Sequence, residues 1–371
     1  MNVENLLVLA VALLMFPQLA QTLYSPALGD IGQAFAVGPE RAGQTLSVYF
    51  LAFALGVVVW GRLCDRLGRR PVMLAGLAIC ACASALALNV STFNGLLLAQ
   101  AVAAFGAAVG SVVTQTVLRD RFEGAELAQV FSVMGIALAA SPAIGLFSGA
   151  TLVQHFGYRG MLAGLLLLAL VLWGWCLWAL PETRPASVSS ASLGETFGLM
   201  LRDMQVWRSV GLVAAFNIAL FSYYSVGQRG LSTVEFGYSG VLLALGSGMG
   251  AWLNKLLLKR GLRSEQLVLT AAGIAVLGSL LVLALQDSWL FVWPMLLVVL
   301  AFGMAIPNVL GAALVAYPDR LGTAAAVFGL LYYLVIGGGL ALVAWAQELG
   351  WSLLVCGLAA LWLAAPRVLR S

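Results

Sequence analysis

The densest charge in this chain lies in Gly61-Arg62-Leu63-Cys64-Asp65-Arg66-Leu67-Gly68-Arg69-Arg70-Pro71, where one carboxylate stands among four arginines within eleven residues. Asp65 can accept guanidinium hydrogen bonds from Arg66, Arg69 and Arg70. On spacing alone the cluster reads as a solvated loop whose arginines set topology or as a set of local ion pairs, and neither is a catalytic arrangement. Catalysis has little else to draw on. His155 is the single histidine, and there is no Ser/His or paired-Asp arrangement and no cluster at metal-ligand spacing, so an enzyme and a metal site are both set aside. Cys64, Cys80, Cys82, Cys176 and Cys356 fit neither a zinc nor a thioredoxin pattern and read as small core residues, and no cofactor is expected.

A second group of candidates is neutral. Gln18, Gln21, Thr22, Tyr24, Gln100, Ser111, Thr114, Gln115, Asn217, Tyr223, Tyr224 and Asn308 all sit inside otherwise apolar stretches. A polar side chain in lipid is costly unless it faces a cavity or a partner helix. Each residue alone is read either as an interhelical hydrogen bond or as pocket lining. As a set they suit a neutral, zwitterionic or aromatic small-molecule solute. None of the 15 acidic residues falls mid-membrane; Asp30, just past the first apolar run, is the candidate proton carrier, weighed against a solvated loop acid. His155 and Arg229 read as residues at the membrane interface.

The elements that must position these groups follow from composition. Hydrophobic residues make up 62% of 371 positions and charged ones 9%, with mean hydropathy +1.00, so the solvent for most of the surface is lipid. Breaks at charges, Pro/Gly clusters and polar runs leave twelve apolar segments, near 5–25, 42–62, 72–90, 94–117, 127–152, 160–180, 208–228, 237–258, 266–285, 289–313, 322–345 and 350–365. The first is read as a retained span rather than a cleaved leader. The predicted fold is an all-α membrane protein of twelve transmembrane helices in two six-helix halves, 1–180 and 208–371, joined by a polar cytoplasmic linker over 181–207. The net charge of +4 reflects orientation and not nucleic-acid binding: sixteen of nineteen Lys and Arg fall on one side of this map, and only Arg41, Arg159 and Arg229 on the other. Both termini are therefore expected in the cytoplasm. The halves also echo each other, with Phe105-Gly106 and Val130-Phe131 recurring as Phe302-Gly303 and Val327-Phe328 at an offset of 197 residues.

The Gly61–Pro71 segment resembles the loop between spans 2 and 3 of the major facilitator superfamily. Pro181-Glu182-Thr183, Pro307-Asn308 and Gly322-Thr323-Ala324-Ala325 are similar to the bicyclomycin-resistance-type branch of drug and metabolite exporters. The resemblance implies that Gly61, Asp65, Arg66, Gly68, Arg69 and Arg70 form a gate on the cytoplasmic side. Lys255, Lys259, Arg260 and Arg263 occupy the equivalent loop of the second half without a matching Asp, and there the arginines and lysines read as setting topology. The resemblance further implies a cavity lined by spans 1, 4, 7 and 10. In it, Thr22 replaces an expected carboxylate and Gln100 an expected arginine, so both charges are lost together. A kink at Pro142 with Gly145 is the remnant of an antiporter signature on span 5. The expected function is proton-coupled export of drugs or metabolites by a monomeric inner-membrane transporter. The alternative is an importer or facilitator of a metabolite or siderophore-like compound; a receptor or enzyme on the same scaffold is disfavoured.

Overall fold

The computed structural model describes residues 3–184, 192–228, 231–317 and 320–365. Arg229, named above, lies outside the described residues, as do Arg367 and Arg370, two of the sixteen cations counted on one side. With no water in a bilayer core, each apolar run must satisfy its own backbone, and the described chain is helical nearly throughout. The helices are α1 (Val3–Tyr24), α2 (Leu28–Ala34), α3 (Pro39–Leu67), α4 (Arg69–Ala87), α5 (Phe93–Arg121), α6 (Gly124–Ala179), α7 (Leu193–Arg202), α8 (Met204–Val226), α9 (Thr233–Lys259), α10 (Ser264–Leu285), α11 (Val292–Ala313), α12 (Leu321–Ala346) and α13 (Leu349–Ala364).

Among the described residues, ten helical stretches are long and apolar enough to cross a bilayer. One of them, α6, is 56 residues long and holds two crossings that meet at Gly157, whose φ of +65° is open to glycine and strained for other residues. With the 16-residue α13 added, twelve crossings result. The expected loop between spans 5 and 6 is thus reduced to a bend at one glycine. Span 1 differs as well. Pro26 interrupts the hydrogen-bond ladder, but a 3-10 turn (Ser25–Ala27) bridges it and the span continues to Ala34. Asp30 therefore stands in helix α2 and not in a loop. Pro142 is carried inside α6, whose one departure from helical dihedrals is Gly157.

Two compact units are present, Met1–Ser190 with Thr233–Gly240, and Ala191–Ser232 with Val241–Ser371. In the first, α5 packs on α3 and α4, while α1 and α4 pack on α6. In the second, α10 packs on α11 and α13, and α8 on α11, α12 and α13 around a core that includes Val213, Phe216, Ala272, Met304 and Val327. The repeat seen in the sequence falls on corresponding crossings, α5 with the start of α6 and α11 with the start of α12. Its two glycines serve close helix approach against different neighbours. A Cβ on Gly106 would lie 2.6 Å from Gly76 O of α4, whereas one on Gly303 would lie 3.1 Å from Ala251 N of α9.

The expected linker contains α7. Ser192 caps it by accepting from Glu195 N, and Leu193, Phe197 and Met200, spaced to share one face, pack into the core of the second unit. Glu195 pairs with Arg320 at 3.1 Å, and Tyr317 donates to Asp203 at 2.8 Å, which fixes both ends of α7. Four of the cysteines are buried as expected; Cys82 is exposed instead, because its position on α4 faces away from α5 and α6.

Candidate functional site

The charged motif is organised by a turn. α3 stops at Leu67 because Gly68 takes φ +105° and ψ 164°, and a Cβ there would lie 2.5 Å from Glu182 Oε2. Glycine is required by both conformation and space. Gly61 is under no such demand: its nearest neighbour for a Cβ is Val112 Cγ1 at an ordinary 3.6 Å.

Past the turn, the first backbone N–H groups of α4 meet the Glu182 carboxylate, Arg69 N at 2.9 Å and Arg70 N at 3.1 Å. Thr183 N and Arg184 N add bonds of 3.0 and 2.9 Å. A carboxylate on orphan N–H groups at a helix start is favoured by the helix dipole as well. Burial works against ionising Glu182, but the N–H donors of Arg69, Arg184, Arg70 and Thr183 outweigh it and hold its carboxyl below the usual range.

Arg69 is buried, at 3% exposure. Its Nε donates to Asp120 Oδ2 at 2.7 Å and its Nη2 to Asp120 Oδ1 at 3.3 Å, a two-pronged pair. Nη1 donates to Cys64 O at 3.1 Å and reaches Asp65 Oδ1 only at 3.4 Å. Thr183 Oγ1 donates to Asp120 Oδ2 at 2.9 Å, and Arg70 Nη2 donates to Leu177 O at 2.6 Å. The ends of α3, α4, α5 and α6 are thereby tied at one point. Asp120 is the principal partner of Arg69 and Asp65 the lesser one, while Arg66 is exposed in the last turn of α3. Sequence reading named Asp65 as the carboxylate beside these arginines. Asp120 falls between the two recurring pairs of the internal repeat, Phe105-Gly106 and Val130-Phe131, and Glu182 in the Pro181-Glu182-Thr183 end of span 6, but no linear spacing joins residues 65, 120 and 182.

The neutral set divides by how its hydrogen bonds are used. In the first unit, Thr22 is buried, donates to Gln18 O at 2.8 Å and fills the space left by Gly145 on α6. Ser111 accepts from Gln115 at 3.4 Å, and Tyr24 is buried. Among the described residues, Gln21 Nε2, Gln100 Nε2 and Thr114 Oγ1 are buried with no hydrogen-bond partner, as are Ser47 Oγ and, on α8 of the second unit, Ser225 Oγ, the last two missed by sequence reading. An unsatisfied buried polar group costs about 1–3 kcal/mol, so a hydrogen bond formed to any of these atoms would recover part of that cost. In the second unit, Asn217 is committed to Val213 O at 2.8 Å. Asn308 donates to Asn254 Oδ1 at 2.6 Å and to Met304 O at 2.8 Å, joining α11 to α9 beside Pro307. Tyr223 and Tyr224 are fully buried in an aromatic cluster with Phe221 and Phe291.

Asp30 is half-buried on α2, and its Oδ2 lies 3.6 Å from where a Cβ on Gly157 would stand, so the carboxylate borders the bend of α6. His155 is exposed beside Phe156 on the same helix. Among the described residues no three His, Cys, Asp or Glu side chains converge as a metal site would need.

The family model described as Major Facilitator Superfamily matches residues 10–341. The chain belongs to the major facilitator superfamily. Within this family it is similar to "Multidrug resistance protein D" of Escherichia coli (strain K12), 26% identical over 88% of this chain and 84% of that one. It is also similar to "Bicyclomycin resistance protein homolog" of Haemophilus influenzae, 24% identical over 86% of this chain and 84% of that one. The structure superposes on a D-xylose-proton symporter with a TM-score of 0.78 at 13% identity, covering 98% and 97% of the two chains, which establishes a shared fold. The resemblance to the bicyclomycin-resistance-type branch is borne out, and the chain is a multi-pass membrane transporter for small molecules and not an enzyme.

Proposed function

We propose that this major facilitator exports small organic molecules across the cytoplasmic membrane in exchange for protons, as a monomer with both termini in the cytoplasm. The two six-span halves alternate access to a central site, and 181–207 is the cytoplasmic connection between them. The observation that carries the reading is the likeness to drug-resistance proteins over more than four fifths of both chains. Buried donors with no partner at Gln21, Gln100 and Thr114 support a solute rich in hydrogen-bond acceptors, and the aromatic cluster at Tyr223 and Tyr224 supports one with a ring. Asp30 is assigned as the proton carrier, since it is half-buried at a helix bend. The charged cluster around Arg69 acts as the gate, by holding four helix ends as one rigid piece that moves or stays as a unit.

One observation favours a second reading, an importer or facilitator without proton coupling. Thr22 stands hydrogen-bonded within its own helix where the resemblance leads one to expect a carboxylate. Membrane vesicles of both orientations with an imposed pH gradient separate the two. Export predicts that dye or antibiotic accumulates in inside-out vesicles only while the interior is acidic, and that Asp30→Asn abolishes the dependence. Accumulation indifferent to the gradient would remove the proton-coupled reading.

A further inference from the structure

The two halves treat corresponding cations differently. In the first, Arg69 is buried against Asp120 and Asp65. In the second, Lys255, Lys259, Arg260 and Arg263 surround the α9–α10 turn, all exposed. The ion pairs among the described residues include none of the four. The acid beside them in sequence, Glu265, is itself exposed in the first turn of α10 and makes no ion pair with them. Lys255 and Lys259 are one turn apart on one helix face, where like charges repel.

That face has a direction. Val241, Leu245, Met249 and Trp252 are exposed along α9 at spacings of four, four and three residues, and the same stripe runs on into Lys255 and Lys259. An exposed apolar stripe of this kind suits acyl chains, and lysines at its end suit headgroup level. Met249 also lines an apolar groove with Leu281, Trp293 and Leu297, between α9, α10 and α11. At about 1.5 Å per residue the groove begins roughly 9 Å from Lys255, within the length of an acyl tail.

We propose that this surface holds an anionic phospholipid, its phosphate among Lys255, Lys259, Arg260 and Arg263 and one tail along α9 into the groove at Met249 and Trp293. The lipid supplies the negative charge that Asp120 and Asp65 supply in the first half. Its assignment to the inner leaflet rests on the orientation proposed above.

Purified, delipidated protein in detergent tests the site without a transport assay, so the result stands whether or not export is proton-coupled. Phosphatidylglycerol and phosphatidylcholine of equal chain length are titrated, and retained lipid is counted by native mass spectrometry. The expected preference for phosphatidylglycerol is about ten-fold. It should vanish in Lys255→Gln/Lys259→Gln/Arg260→Gln/Arg263→Gln and persist in the charge-keeping Arg260→Lys/Arg263→Lys. Should the fourfold variant fail to insert, Lys255→Gln/Lys259→Gln carries the test, with an expected loss of about three-fold. Equal retention of the two lipids by the wild type would overturn the proposal. So would a preference that survives charge removal, full competition by inorganic phosphate at equal concentration, or a shift to dimers in place of lipid uptake.

Discussion

Asp120 and Asp65 both face Arg69, yet they should respond differently to neutralisation. The Arg69 and Asp120 side chains are 4% and 14% exposed, whereas that of Asp65 is 45% exposed. Removing one member of a buried pair strands its partner and costs about 3–5 kcal/mol, while an exposed pair contributes about 0–1 kcal/mol. Asp120→Asn is therefore expected to lower the melting temperature in detergent markedly, and Asp65→Asn to leave it near wild type while slowing turnover. A thermal-shift series on the two variants checks the order; equal destabilisation would contradict it. Glu182 adds a pH signature. Its pKa is held below the unfolded value, so its contribution is present above the ordinary carboxylate pKa, near 4.3, and is lost as pH falls through the depressed folded value. Melting temperatures measured from pH 7 to 3 should show wild type losing stability at the acid end and Glu182→Gln losing less of it there. At this scale the sequence revealed which residues carry charge, and hid how they pair. The pairing depends on three-dimensional closure among α3, α4, α5 and the chain after α6.

The helices themselves were legible, because apolar runs bounded by Gly, Pro and charge leave few alternatives in lipid. Their ends were less so. The bend at Gly157 replaced a predicted loop, since a lone glycine among apolar residues looks like any other membrane glycine. α7 was hidden by the polar composition of its surroundings, although Leu193, Phe197 and Met200 carried its period. Gly68 offers a direct test of how a turn sets the charged cluster. Gly68→Ala places a Cβ in a region that disfavours it and against Glu182, a strain of about 1–3 kcal/mol, and should lower the melting temperature while detaching the cap on α4. A variant as stable as wild type would contradict the turn's role. Thr22→Asp probes the packing of α1 on α6 in the same way. A carboxylate buried next to Gly145, with Gln100 offering no balancing charge, should destabilise the protein or give its transport a new pH dependence. An unchanged melting temperature and pH profile would count against that account.

For the whole molecule, composition alone dictated a bilayer-spanning helical protein, and the regular recurrence of polar breaks dictated twelve crossings. Duplication was visible in Phe105-Gly106 and Phe302-Gly303 because close helix approach keeps small residues in place. What the solute is was not legible. The amides, hydroxyls and rings proposed for the site suit many neutral molecules, and their arrangement depends on packing that no linear pattern encodes. The central claim is that the protein is a carrier that alternates between two states and not a pore or a receptor. Counterflow tests it most directly. Proteoliposomes are loaded with unlabelled solute, taken from a thermal-shift screen of antibiotics, dyes, sugars and siderophore-like compounds, and diluted into a trace of labelled solute with no ion gradient. The account predicts a transient accumulation of label above equilibrium, slowed by Asp65→Asn; label that merely equilibrates, or never enters, would contradict it.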